Sequence, residues 1–556
     1  MNMVNRARSS GPRRTASAAA AIALCAALFA SASARAIEID TGNEDLQVHF
    51  DNTIRYNLGR RIEAQDPAIL GNPNLDDGDR NFAKNSTVTN RLDLLSEFDI
   101  AYKENLGLRV SAASWYDHAY AGSLDNTSVA TSNHLVNGEQ ALGLSDYTRR
   151  YYRGPSGEWL DAFVFGTLDI GSMPLNVRLG RHTVYWGESL LGAGAIHGMA
   201  YGQAPLDLGK AQSTPGIEIK ELFRPRNQVS AQLQATPELS IAGQYFLDWE
   251  ASRFPEAGSY YGSLDILLKG GESYLIAPGL FATQGTPITP KKSGDWGLAA
   301  RWSPQWLDGT LGFYARRLSD NLPQLIVDLG SLQYFTNYAD GIDLYGVSLS
   351  KQIAGISFGM DLNYRRNMPL ASQAVVVMSQ AELPGRGEIL GARGNTAHAV
   401  FNALGVIKDT PVFDSASWIA ELAWSRTLSV TSDPNNVYLG RAGYDDIDRV
   451  THDYFGIGLS FTPTWFQAFP GADLSLPLSY SRGISGTSAV AGAKNSGSYS
   501  VGLGLDLYSK YRFDLKFADF FGDYRKDASG AVENYNGSNA VLKDRGAIYF
   551  TFKTTL

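Results

Sequence analysis

The sequence predicts an all-β fold, a transmembrane antiparallel β-barrel of about 18 strands (16–18). Three observations predict it. From Leu46 to Leu556, short segments carry apolar residues at every second position. A leader of the export type precedes them, and no later apolar run is long enough for a spanning helix. The connections between segments alternate between short and long.

The alternation comes first. Ile356, Phe358, Met360, Leu362 and Tyr364 alternate with Ser357, Gly359, Asp361, Asn363 and Arg365. Successive side chains of a strand point to opposite faces, so each such segment has one apolar and one wet face. Segments of this kind fall near 46–58, 90–103, 106–118, 160–170, 175–185, 227–236, 238–250, 293–302, 310–319 and 340–351. The rest are near 354–366, 396–408, 415–429, 451–462, 471–483, 496–508, 510–521 and 544–556. Their number is even, as in single-chain bacterial barrels. The segment at 160–170 fits least cleanly, because Phe163 and Phe165 oppose Leu160, Ala162, Val164 and Leu168, and 396–408 shares the ambiguity.

The connections follow. Lys103-Glu104-Asn105 is short and 119–157 long; Gly171-Ser172-Met173-Pro174 is short and 186–226 long; Thr236-Pro237-Glu238 is short and 251–292 long. Short periplasmic turns with long extracellular loops, partly folded into the lumen, are the expected topology. At the end of the chain Ile548, Phe550, Phe552 and Leu556 share one phase. This resembles the insertion signal read by the barrel assembly machinery, with Leu556 where an aromatic is commoner.

The leader sets the compartment. Arg6, Arg8, Arg13 and Arg14, the apolar run Ala18 to Ala30 and Ala34-Arg35-Ala36 read as a cleaved signal peptide over 1–36. Ordinary secretion fits better than a twin-arginine route. A single domain, 37–556, follows, without cysteine, since Cys25 is the only one. The chain has 48 Lys+Arg and 56 Asp+Glu; loss of the five leader arginines leaves 43 against 56, a formal charge of −13. That balance argues against nucleic acid as a partner. The expected location is the outer membrane of a Gram-negative bacterium, with membrane lipid, lipopolysaccharide and the assembly machinery as partners.

Some stretches go beyond a generic barrel. They are Leu75-Asp76-Asp77-Gly78-Asp79-Arg80-Asn81-Phe82, Trp115-Tyr116-Asp117, Arg178 through Ser189, Pro215 through Glu221, and Gly258-Ser259-Tyr260-Tyr261. With them the chain resembles the domain-of-unknown-function family 1302 of Gram-negative bacteria. The resemblance implies an outer-membrane protein often encoded near exporters of the resistance-nodulation-division (RND) type and near catabolic genes for hydrophobic compounds. An RND-type exporter and small lipophilic solutes are the partners it implies.

The candidate functional residues lie where the alternation breaks or turns inward. Segment 186–226 is rich in glycine and poor in charge, unlike a loop meant only for solvent. One reading folds it inward, with Arg181, Trp186 and Glu188 near a constriction and Glu218 facing the lumen. The other anchors Trp186 at the lipid interface and pairs Glu188 with Arg181. Asp361, Arg365, Glu421, Arg512, Asp514, Lys516 and Lys553 fall opposite the apolar phase and are expected in the lumen, as paired packing charges or as a solute path. Gln228, Ser230, Gln232, Gln234, Ser240, Gln244 and Phe246 make a less charged inward set.

Other chemistry finds little support. Gly187-Glu188-Ser189 is no nucleophile elbow, because Leu191 stands where that elbow needs glycine. Asp76-Asp77-Gly78-Asp79 lacks the spacing of a helix–loop–helix calcium site and reads as a turn. The seven histidines show no metal spacing, and neither metal nor cofactor is expected. The expected function is a non-enzymatic conduit for hydrophobic or amphipathic small molecules. The alternatives are a diffusion porin for polar solutes, an outer-membrane protease or lipase, and a structural or adhesive surface protein.

Overall fold

The computed structural model describes residues 37–556, so the leader assigned to 1–36 lies outside the described residues. Eighteen antiparallel strands form the barrel. They are β1 Leu46–Arg61, β2 Thr87–Tyr102, β3 Leu106–Asp117, β4 Ser156–Ile170, β5 Met173–His182 and β6 Arg226–Gln234. Next come β7 Leu239–Phe246, β8 Trp296–Trp302, β9 Gly309–Leu318, β10 Ile342–Ile353, β11 Ile356–Pro369 and β12 Arg393–Lys408. The last are β13 Ser415–Ser432, β14 Asp453–Phe469, β15 Ala472–Ser475 continued by Leu478–Ser485, β16 Gly497–Leu507, β17 Tyr511–Phe521 and β18 Ala547–Thr555.

Closure is explicit. β1 pairs with β2 on one side and with β18 on the other, in the register Thr53↔Thr555 to Arg61↔Ala547. Each expected strand segment corresponds to one of these strands. Ile37–Glu38 adds a short pairing beside β1.

Two irregularities have local causes. β15 is interrupted at Leu476-Pro477, where proline has no N–H for the ladder; Gly502 N–H donates to the Pro477 carbonyl at 2.9 Å instead. In β4 the pairing with β3 shifts between Val110↔Ala162 and Ala112↔Trp159, a bulge that adds one residue to β4. That extra residue explains the two apolar faces read at 160–170. Trp159 and Val164 face outward, while Leu160 and Phe163 are buried inside.

The two ends differ as the rhythm predicts. At the short end, Ala354-Gly355 turns with φ of 50° and 81°, the left-handed pair of a tight hairpin whose twist matches its strands. At the other end, residues 62–86, 183–225, 247–295 and 522–546 are among the long connections. There Ser273–Ala277, Leu280–Gln284, Gln324–Asp328, Gln333–Asn337 and Val375–Val377 form a separate five-stranded sheet. No helix among the described residues is long and apolar enough to cross a membrane.

The outer face of the barrel is apolar. Leu94, Leu298, Leu362, Leu422, Leu503 and Phe550 are each more than a third exposed, in the phase opposite to buried Asp93, Asp361, Arg365 and Glu421. An exposed apolar band of this extent is unlike the surface of a soluble monomer.

Candidate functional site: the segment inside the barrel

Residues 183–225, between β5 and β6, run into the lumen rather than over the rim. A backbone moved away from bulk water needs partners for its N–H and C=O groups. Here the barrel wall supplies them as charged and amide side chains.

The β11 and β13 wall holds the first half. The Asp361 carboxylate accepts from Glu188 N–H at 2.9 Å and Met199 N–H at 3.2 Å. Glu421 accepts from Leu190 at 2.6 Å, Leu191 at 3.2 Å and Gly194 at 3.0 Å, around the start of α1, Gly192–His197. Donors serve the carbonyls. Arg365 donates to Ile196 and Gly198, Arg316 to Met199 and Tyr201, Asn363 to His197 and Asn402 to Glu188. His197 Nε2 lies 3.1 Å from the Ala491 carbonyl, to which it donates. Its Nδ1 therefore accepts from His398 Nδ1–H at 3.0 Å.

Glycine makes this approach possible. A Cβ on Gly187 would lie 2.5 Å from Asp361 Oδ2, and one on Gly194 would lie 2.7 Å from Glu421 Oε1. The glycine content that marks the segment in the sequence thus serves close contact with carboxylates of the wall.

The second half crosses to β1, β2 and β18. Asp207 caps α2, Leu208–Ser213, by accepting from Lys210 N–H at 2.9 Å. The Lys210 ammonium pairs with Glu158 of β4. In the one-turn helix α3, Ile219–Leu222, and the residue before it, Glu218 pairs with Lys553 at 2.6 Å, Lys220 with Glu97, and Glu221 with Arg55 at 2.9 Å. Arg55 lies six residues from Arg61 at the long-loop end of β1. At about 3.3 Å per residue that is ~20 Å down the strand. Ile219 sits among these lumen contacts and is 68% exposed.

The expected site residues therefore separate into groups. Trp186 is 5% exposed, 6.0 Å in ring-to-ring distance from inward-facing Tyr314, and packed with Met199, Tyr201 and Leu344. The lipid-interface placement of Trp186 does not hold. The Arg181–Glu188 pair does not form either: Arg181 pairs with Glu250 at 2.9 Å, and Glu188 lies 3.4 Å from Arg301. The chain turns sharply after His182, leaving Arg181 at the rim while Glu188 descends. Asp361, Arg365 and Glu421 touch the segment, and Glu218 is part of it.

Arg512, Asp514 and Lys516 are on β17, away from it. Arg512 and Asp514 pair at 2.9 Å and keep side-chain exposures of 37% and 25%. Among the described residues no hydrogen bond or ion pair joins 183–225 to β15, β16 or β17. The inward groups of β15 and β16 are small, with Ser479 bonded to Ser500 at 2.7 Å and Ser481 to Ser498 at 3.0 Å. Arg55, Arg316, Asn363, His398 and Asn402 also hold the segment and were missing from the sequence-based set. The inward phase of their strands was the signal for them.

A second buried cluster ties the long loops. Asp76 through Asp79 do not form an open turn; Asp77–Arg80 is one helical turn, and Asp76, Asp77 and Asp79 are buried. Asp79 pairs with Arg61 at 2.6 Å and Arg545 at 3.4 Å, and Asp76 with Arg80. Burial, then the carboxyl group of Asp265, pushes Asp77 well up from the usual carboxylate range. Burial likewise raises Asp265 to about 7 and Asp76 to about 6. Asp265 accepts from Asp77 N–H at 3.0 Å, and Asp77 from Asn133 N–H at 2.8 Å.

Among solved structures, the chain is similar to Pseudomonas aeruginosa OpdK with vanillate, at 10% identity and a TM-score of 0.38. It is also similar to Pseudomonas aeruginosa OccK9 (OpdG), at 10% identity and 0.40, and to Acinetobacter baumannii OccAB2, at 9% and 0.40. Each likeness covers 92% of this chain and 98% of the other. No curated protein matches. The family model of a protein of unknown function, DUF1302, matches residues 16–556, nearly the whole chain, and the chain belongs to that family.

Proposed function

We propose that the protein is a channel of the outer membrane of a Gram-negative bacterium, narrowed by its 183–225 segment and suited to amphipathic or apolar small molecules. A closed barrel with an apolar outer band supports the membrane setting. An 18-stranded barrel without an inner segment would leave a wide aqueous lumen. Here buried contacts of the segment fill the β9–β13 side, while Arg512 and Asp514 of β17 keep solvent exposure. The observation that carries the solute class is Ile219. A large apolar side chain stands 68% exposed inside the barrel, on a helix pinned by Glu218, Lys220 and Glu221. Tyr185, 39% exposed, continues that surface against Phe223, with ring centroids 5.5 Å apart.

A second reading, a diffusion path for polar solutes, is favoured by the exposed Arg512–Asp514 pair and the serine-lined wall of β15 and β16. Replacing residues 190–212 with a flexible Gly/Ser linker of equal length decides whether the segment narrows the lumen. Single-channel conductance in planar bilayers is expected to rise several-fold; unchanged conductance would refute the narrowing. Slow ion current in the native protein with fast uptake of a lipophilic dye favours the amphipathic route, and the converse favours the polar one. Partnership with an RND-type exporter is proposed on the family resemblance alone. Co-purification from cross-linked membranes tests it.

A further inference from the structure

Above the barrel wall, two adjoining cavities open between the roots of the long loops. One, of about 400 Å³, is lined by Tyr147, Trp249, Lys269, Tyr338, Arg224 and Arg253 among others. The other, of about 380 Å³, shares Tyr147, Arg224 and Arg253 and adds Arg150, Arg181 and Trp159. Arg181 lies just before the inward segment and Arg224 near its end. The cavities therefore sit at both roots of the element that fills the lumen.

The lining is unusual for an acidic chain. Five cations, Arg150, Arg181, Arg224, Arg253 and Lys269, face the carboxyl groups of Glu158, Glu250 and Glu256. Burial raises Glu256 to about 8, so it is mostly neutral at pH 7, and Glu158, Glu250 and the Asp207 beside Arg253 are the carboxylates that oppose the five cations. These three hold Arg181, Arg224 and Arg253 in place, with Arg150 and Lys269 beside them as further cations. Arg253 meets both Glu158 at 3.2 Å and Asp207 at 2.5 Å through the same Nη1 atom. Arg181 meets Glu250 through Nη1, while its buried Nε has no hydrogen-bond partner. Arg224 uses Nη2 for Glu250 at 2.5 Å and Nη1 for the Ala251 carbonyl. Beside these donors stand flat apolar faces. Trp249 and Tyr338 pack edge to face at 4.8 Å.

We propose that this paired cavity captures an amphipathic organic anion, its carboxylate held by Arg181, Arg224 and Arg253 and its ring-sized apolar body against Tyr147, Trp249 and Tyr338. Planar guanidinium groups match a carboxylate in two-point contact. The volumes fall in the range of small-molecule sites, apolar with a few placed polar groups. The inference rests on the conduit reading and narrows its solute to one that carries a negative charge.

The test is calorimetric titration of the full-length protein in detergent with three probes: 2-naphthoate, uncharged 2-naphthylmethanol, and acetate, which lacks the apolar body. The naphthoate is expected to bind at least ten-fold more tightly than either of the others, with an affinity that falls as salt rises. Arg224→Gln is expected to weaken it at least ten-fold. Arg150→Gln alters an exposed side chain and leaves the fold unperturbed; it is expected to weaken binding several-fold. Equal binding of the alcohol, or naphthoate binding unchanged in both variants, overturns the proposal. The conductance experiment separates the two readings. If conductance responds to the linker while naphthoate does not bind, the conduit stands and the anion site falls. Binding with unresponsive conductance upholds the site and removes the narrowing.

Discussion

The Glu421 carboxylate accepts the backbone N–H of Leu190 at 2.6 Å, across 231 residues of chain. The same group takes Leu191 and Gly194, so one wall side chain satisfies three donors of a segment that has left bulk water. Both of its oxygens accept. In Glu421→Gln an amide NH2 would face one of these N–H groups, donor against donor. Hydrogen bonds to charged groups contribute about 1.5–3 kcal/mol each. The expected outcome is a loosened segment, read as larger and noisier single-channel conductance with the heat-modifiable gel shift of the barrel retained. Conductance identical to wild type would show that Glu421 does not hold the segment.

Gly187 gives a steric counterpart to this electrostatic anchor. Its φ is +96°, and a Cβ there would lie 2.5 Å from Asp361 Oδ2 and 2.7 Å from Met199 Cβ. Gly187→Ala is expected to cost about 1–3 kcal/mol through overpacking and backbone strain. Gly192→Ala is the control, because nothing lies within 4 Å of a Cβ at that position. Urea unfolding of the two variants in the same micelles checks the difference, and equal midpoints would count against a close seat for Gly187.

Much of this was legible in the sequence, for identifiable reasons. Strand positions follow from a period of two, which needs no knowledge of the partner strand. Phase alone placed Asp361, Arg365 and Glu421 inside. Their partners were not legible, because Asp361–Glu188 and Glu421–Leu190 join positions 173 and 231 residues apart through backbone N–H groups that every residue has. Arg181 was misassigned because sequence proximity to Glu188 was read as spatial proximity. The β15 break at Pro477 is legible in the sequence, since proline cannot donate to a ladder.

The loop cluster around Asp77 and Asp265 is expected to respond to pH. Both carboxyls are raised above their unfolded range by burial, Asp265 to about 7. Between the unfolded value near 3.8 and the raised one, the folded loops bind more protons than the unfolded chain. Stability then falls as pH rises through that window. For Asp265 the contribution is complete below about pH 4 and lost above about pH 7. Hydrogen-exchange protection factors of 72–82 and 258–266, taken relative to the intrinsic exchange rate at each pH, should be higher at pH 5.5 than at pH 8.5. Asp265→Asn, which fixes the neutral form, should flatten the dependence; an unaltered pH response would assign it to other groups.

Ile219 separates solute preference from stability. Its neighbours Glu218 and Glu221 carry the ion pairs, and Ile219 itself is mostly exposed to the lumen. Replacing an exposed side chain away from such contacts usually changes stability by within about 0.5 kcal/mol. Ile219→Ser should therefore leave unfolding unchanged. It removes apolar surface that a passing amphipathic solute would otherwise cover, at roughly 25 cal/mol per Å². Uptake of a lipophilic dye by cells carrying the variant is expected to fall a few-fold, with ion conductance within error of wild type. Ile219→Phe keeps the apolar character and should keep the uptake. Equal loss in both variants would point to blockage rather than to a lost apolar contact, and no loss in either would mean that solutes pass elsewhere, along the Arg512–Asp514 wall.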